Sequence, residues 1–310
     1  MTTQQDRGIQ HAALHDVPAI LAALEQDGVV LVPGYLDAEA VAAATRECHE
    51  LFERTPPWAH HEDYSLGQSV RAERADLDPA AFPTLATTLG WMGRLTDPSF
   101  GIDERMVVLA DQRVVLHRPL APAATLISRP IIKEIIDKGE GSAAIIQFTR
   151  DLTAEDGTLI ATVEGSTLAR KHGGFGGKVT QSPAPPAIPV RDPDAVCDLP
   201  TPPNLAQIFR LTGDTNPLHI DPERAKVAGF PRPILHGMAG FGVAAHAILR
   251  TLAGYQPEKL ASIEARFAKP IFPGETVRTE MWQNGSEVAF RCRTVERGEV
   301  AIDNGLARLR

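Results

Sequence analysis

The sequence predicts an α+β fold made of two tandem units of antiparallel strands with a buried helix. Three observations carry this. Residues 116–126, LHRPLAPAATL, parallel residues 267–277, FAKPIFPGETV, sharing the basic residue, both prolines, the Thr and the aliphatic positions. Each copy is followed by three short segments rich in strand formers and separated by turn signals. Residues 234–252 are small or apolar on nearly every face, the pattern of a buried helix and not a surface one. A unit duplicated in this way forms two similar folds joined in tandem.

In chain order, residues 1–55 read as an N-terminal extension, with a helix over 17–26, a short buried strand over 28–33 and a helix capped by Asp37 and running to about Phe52. Residues 56–177 form the first unit, with strands at 126–136, 142–149 and 158–169 and turns at Lys138-Gly139 and Asp156-Gly157. Residues 178–203 hold eight prolines and few large apolar side chains, and read as an extended linker. Residues 204–310 form the second unit, with strands at 277–282, 287–295 and 299–309 and turns at Asn284-Gly285 and Arg297-Gly298. Val288, Phe290, Cys292 and Thr294 alternate with Glu287, Arg291 and Arg293, which suits an antiparallel strand with one buried face.

Composition narrows the function. The chain has 310 residues, 43% hydrophobic and 23% charged, ordinary for a globular protein with room for two cores. A net charge of −8 argues against non-specific nucleic-acid binding, while permitting a local basic site for a phosphorylated ligand. Cys48, Cys197 and Cys292 are scattered, with no CxxC, as in a reducing compartment. No stretch reaches the roughly 18 uncharged residues a bilayer span needs. The first residues lack an apolar signal core, and Arg308-Leu309-Arg310 is not a peroxisomal tripeptide. A cytoplasmic protein with no membrane partner is expected.

The chemistry concentrates in residues 209–249. Gly213-Asp214-Thr215-Asn216-Pro217-Leu218-His219 sets a carboxylate and an imidazole five positions apart. That spacing does not share a helix face, and Pro217 would break a helix interior. A rigid loop made by Gly213 and Asn-Pro can instead aim Asp214 and His219 at one point from two sides, as acid/base work on a single water requires. Residues 225–233 form a connector stiffened by Pro231 and Pro233. The helix after it begins near Gly237, whose N–H sits at the positive end of the helix dipole with no side chain in the way. It is positioned to meet an oxygen that gains negative charge.

Phe209, Thr212, Gly213-Asp214, Asn216-Pro217-Leu218-His219 and Asp221, followed by Ile234-Leu235-His236-Gly237-Met238, resemble the signature of MaoC-like (R)-specific enoyl-CoA hydratases, also called hydratase 2. The resemblance extends over residues 63–310, through Tyr64-Ser65-Leu66-Gly67, Pro83-Thr84-Leu85, Leu116-His117-Arg118-Pro119 and the HGGFGG loop at 172–177. It implies a tandem double hot-dog with one active site per chain, carried by the second unit. The first unit is degenerate, because it repeats no Asp/His constellation and has RAERADLD where an apolar helix belongs. It then lacks a central helix or borrows residues 38–52, and shapes the acyl pocket.

The implied reaction is reversible hydration of a trans-2-enoyl thioester to the (3R)-3-hydroxyacyl thioester. Asp214 and His219 are the acid–base dyad, and the Gly237 N–H is the oxyanion donor. Asn216 and Asp221 hold the loop and the imidazole. Asp221, Lys269 and Arg118 are candidates for substrate contact, the last two for the phosphates of CoA or phosphopantetheine. No metal or other cofactor is required, since the thioester already acidifies the α-proton. The partner is an acyl-CoA or an acyl carrier protein thioester, and a homodimer is compatible with this reading.

Rival readings are a hot-dog thioesterase, which would release free CoA, and a non-catalytic acyl-thioester binder. A non-haem iron oxygenase is the least favoured. The stretch LEQDGVVLVPGYLDAEAVAAATRECHELF is similar to the start of phytanoyl-CoA dioxygenase-like proteins, and His61-Glu62-Asp63 has the H-x-D spacing of an iron site. Too little chain precedes it for the barrel such a site needs, and His117 reads as a structural strand residue. HGGFGG lacks the context of a nucleotide loop and reads as a turn. His236 and His246 read as structural histidines.

Overall fold

The computed structural model describes residues 82–89, 101–121, 125–177 and 185–310. The expected elements of residues 1–55, the H-x-D at 61–63, the YSLG segment and the stretch after Gly67 lie outside the described residues. So does any helix borrowed from 38–52.

The described strands form one nine-stranded antiparallel sheet in the order β2-β3-β4-β1-β6-β9-β8-β7-β5. The first half contributes β1 (Val107–Leu116), β2 (Leu126–Asp137), β3 (Ala143–Ala154) and β4 (Leu159–Arg170). The second contributes β5 (Ala195–Pro200), β6 (Leu260–Phe267), β7 (Thr276–Asn284), β8 (Glu287–Thr294) and β9 (Val300–Leu309). The halves mirror each other about the β1–β6 seam. The offset that carries Leu116 onto Phe267 also carries Arg113 onto Glu264, its own partner in the register. Those two side chains form an ion pair at 3.6 Å, so a pseudo-twofold axis runs through them. Side-chain packing repeats as well. Phe148 on β3 lies opposite Gly165 on β4, and Phe290 on β8 lies opposite Gly305 on β9. A Cβ at Gly165 would come 2.8 Å from the Phe148 ring, and one at Gly305 would come 2.6 Å from Phe290. Each glycine is there because a ring covers its backbone.

The fold is thus the expected α+β double hot-dog. Its long helix, α3 (Gly237–Leu252), follows α1 (Leu205–Phe209) and α2 (Pro222–Val227). Every residue of α3 from Met238 to Leu249 is buried, as its all-round apolar character requires. It packs on β5, β6 and β7, and also on the 3-10 turn Pro83–Thr87 from the first half. Val114, Leu152 and Val163 therefore share one core with Phe241, Ile248, Ile263 and Phe290, all essentially solvent-free.

Two expectations change. The proline-rich segment 178–203 is not linker throughout, because residues 195–200 form β5 and pair with β7. β5 is an edge strand, where Pro200 removes no needed donor. The duplicated run is not itself a strand. It is the connection that leaves β1 and β6 and returns as β2 and β7, so His117, Arg118 and Lys269 lie just past strand ends. His117 is exposed, with Nε2 3.1 Å from the Thr162 hydroxyl, an ordinary surface contact. The HGGFGG loop wraps the protein's own carboxylate: Asp137 accepts hydrogen bonds from the N–H groups of Gly139, Gly174, Gly176 and Gly177. Those donors hold the Asp137 carboxyl below its usual range, Gly174 contributing most.

Candidate active site

The predicted loop is short, capped and braced from below. Arg210–Thr212 is a 3-10 turn that ends at Gly213, whose φ of +117° is open to glycine. Asp214 Oδ1 then accepts from the Asn216 N–H at 3.2 Å. Asn216 caps the next 3-10 turn, Pro217–His219, accepting from the Leu218 N–H at 3.1 Å. A small cluster of Leu218, Ala225, Ala228, Ile234 and Phe272, with Phe230 against it, lies beneath. The arrangement fixes the directions of Asp214 and His219 without either being on a regular helix.

His219 is buried, and its Nδ1 donates to the Ile234 carbonyl at 2.8 Å. A carbonyl only accepts, so Nδ1 carries the hydrogen and Nε2 is the basic nitrogen of the neutral ring. A carboxylate oxygen of Asp214 and one ring nitrogen each of His219 and His236 all lie within 4.8 Å of one another. Two hydrogen bonds of about 2.8 Å that meet at the tetrahedral angle of a water span about 4.6 Å. Asp214 and His219 are therefore close enough for one water to reach both.

The trio does not suit a metal ion. His219 and His236 stack with ring centroids 3.7 Å apart and planes 25° apart. Lone pairs lie in the ring planes, and the planes of two stacked rings share no point about 2 Å from a nitrogen of each.

The floor is a cleft of about 280 Å³, bounded by the loop, the start of α3, residues 267–271 and strands of the first half. Leu109, Gln112, Ile146, Phe148 and Thr167 of β1, β3 and β4 line it, so the half without the dyad supplies much of the apolar wall. Asp214, Asn216, His219, Gly237 and Lys269 all reach this cleft. Gly237 is the first residue of α3, and its N–H has no acceptor within the helix. A Cβ there would touch Leu109 at 3.4 Å and Phe267 at 3.5 Å, on the cleft wall.

Two predicted contacts are elsewhere. Asp221 caps α2, accepting from the Glu223 and Arg224 N–H groups, and does not line the cleft. Its Asp-Pro-Glu sequence was a readable helix start. Arg118 is exposed and outside the cleft, although the duplication makes it the counterpart of Lys269. His236, read from sequence as a structural histidine, lines the cleft and contacts both members of the dyad. His246 fits its structural reading, with Nε2 3.3 Å from the Tyr255 hydroxyl.

Fold and cleft together define a double hot-dog protein whose cleft brings Asp214, His219 and His236 together. The profile of the MaoC like domain matches residues 185–305. The chain is 39% identical over 289 residues to 3-hydroxyacyl-thioester dehydratase Y of Mycobacterium tuberculosis, a span covering 87% of this chain and 93% of that protein. It is 36% identical over 234 residues to the peroxisomal enoyl-CoA hydratase 2 of Arabidopsis thaliana, covering 71% and 75% of the two chains. The crystal structure of a MaoC-like dehydratase from Phytophthora capsici superimposes with a TM-score of 0.62 at 36% identity, over 67% of this chain and 70% of that one. The chain belongs to the MaoC-like family.

Proposed function

We infer that the chain is a hydro-lyase that interconverts a trans-2-enoyl thioester and a (3R)-3-hydroxyacyl thioester. The carrying observation is that Asp214 and His219 come within 4.8 Å of each other and both line one largely apolar cleft. The names of its relatives support the same reaction. His219 Nε2 takes a proton from the bound water as the water oxygen attacks the β-carbon. Asp214 orients that water and takes part in delivering a proton to the α-carbon, so the two groups act as a coupled pair. Asn216 keeps the loop in register. The Gly237 N–H receives the thioester oxygen as it becomes an enolate, a contribution of about 3 kcal/mol.

The acyl chain lies along Leu109, Ile146 and Phe148, and Lys269 meets the phosphates of CoA or of a carrier protein's phosphopantetheine. The protein works in the cytoplasm. Cys197 and Cys292 are buried and not disulfide-bonded, and no helix among the described residues is long and apolar enough to cross a membrane.

Loss of enoyl absorbance on mixing with trans-2-enoyl-CoAs of increasing chain length tests the reaction. Release of free CoA instead would establish thioester hydrolysis and overturn it. Gly237→Ala and Gly237→Pro then test the oxyanion donor. Both add carbon toward the cleft, but only proline removes the N–H. His236 has φ −57° and ψ 136°, which accepts a following proline at the first helical position. The expected result is a kcat for the Pro variant on the order of 10²-fold below that of the Ala variant. Equal rates would remove the N–H from the mechanism.

A further inference from the structure

His236 makes two contacts that the reaction outlined above does not use. Its Nε2 lies 3.1 Å from the backbone carbonyl of Asp214, and its ring stacks on His219 at 3.7 Å. Phe209 backs the ring at 4.8 Å, and the ring is 1% exposed. We propose that His236 is a positioning residue that clamps both members of the dyad, holding Asp214 through an Nε2–H donor and the His219 ring through its face. This rests on the hydratase reading for its kinetic consequence, but the clamp itself is a structural claim.

The contacts fix the chemical form of the ring. Because Nε2 faces a carbonyl it must carry the hydrogen, leaving Nδ1 as the bare nitrogen. Nδ1 is buried and has no hydrogen-bond partner among the described residues, so a proton there would be a donor without an acceptor among them. Burial, followed by the neighbouring His219, pushes the imidazole down to about 2, while the Asp214 carbonyl opposes and Arg210 adds to the shift. His236 is therefore a neutral ring of the opposite tautomer to its partner: Nε2–H on His236, Nδ1–H on His219. That difference matters when His219 takes the water's proton. The new imidazolium then meets a neutral aromatic face at 3.7 Å and not a second cation.

The clamp also explains why the loop needs no longer helix to steady it. Asp214 belongs to a run of 3-10 turns and single caps, and the His236 bond joins it to the start of α3, where Gly237 also sits. One ring thereby links the Asp214 backbone, the His219 ring and the start of α3 into one rigid unit.

Two variants separate the two contacts. His236→Gln keeps a side-chain N–H at the reach of Nε2 and loses the ring; His236→Phe keeps the ring and loses the donor. Each is expected to lower kcat on the order of 10²-fold, with KM for the enoyl thioester within about twofold. Wild-type kcat in either one would overturn the contact it lacks. Nitrogen NMR of histidine-labelled wild-type protein decides the tautomers without any activity. The expected spectrum has His236 neutral with hydrogen on Nε2 from pH 5 to 8, and neutral His219 with hydrogen on Nδ1. Hydrogen on Nδ1 of His236, or its protonation in that range, would overturn the clamp. An inactive wild-type protein with the expected spectrum would overturn the hydratase reading and leave the clamp standing.

Discussion

Asp214→Asn and His219→Asn each lower kcat for enoyl-thioester hydration by roughly 10²–10⁴-fold, the range of a lost general acid or base. Asparagine is the informative substitute at both places. At 214 it keeps the shape that accepts from the Asn216 N–H at 3.2 Å but cannot exchange a proton. At 219 its amide N–H takes the place of Nδ1 toward the Ile234 carbonyl, so the loop stays tied while Nε2 is gone. The double variant is expected to be little worse than the slower single one, because in the proposed mechanism both groups act on one water. Fully multiplicative losses, measured with folding confirmed by circular dichroism, would show that they serve different steps. An unchanged rate in either single variant would take that residue out of the reaction.

The second large effect is on stability against pH. Burial pushes His236 down to about 2 and His246 down to about 4, so both are neutral in the folded protein at pH 5. Released into the unfolded chain, each takes up a proton near its ordinary value of about 6.5. The unfolded state then binds more protons than the native one, and stability falls as pH drops below about 6.5. At pH 5 the loss is about 2 kcal/mol for each group, about 4 kcal/mol for the pair. Carboxylates held low, such as Asp103 and Asp194 at about 2 beside Arg105 and Arg191, act in another window. Their stabilisation is complete above about pH 4 and fades only below it. Urea midpoints at pH 7, 6 and 5 read the histidine contribution, and His246→Gln should remove about half of the slope. A midpoint that does not move between pH 7 and 5 would contradict the account.

Much of this was readable in advance because it is written locally. The G-D-x-N-P-x-H run is a loop whose shape comes from its own glycine, proline and side-chain caps, so its residues announce its geometry. The duplication was visible as a repeated pair of prolines, and it maps onto a pseudo-twofold axis through Arg113 and Glu264. β5 is masked in the sequence by the prolines around it, although Cys197 and Leu199 point inward and Val196 and Asp198 outward, in the alternation of a half-buried edge strand. Arg118 and Lys269 look equivalent in sequence and are not equivalent in space, because the fold is duplicated but the cleft is not. His236 could not be assigned from sequence. Its partners are a backbone carbonyl at Asp214 and a ring face at His219, and neither interaction leaves a residue pattern.

The most direct test of the central claim is the stereochemistry of hydration in heavy water. In the proposed mechanism one water serves both Asp214 and His219, so the new hydroxyl and the new α-hydrogen should arrive on the same face of the double bond. Hydration of a trans-2-enoyl-CoA should therefore give the (3R) alcohol with deuterium added syn, as read by NMR of the product. Anti addition would mean that the two groups do not share that water, and a (3S) product would mean attack on the opposite face; either would contradict the account.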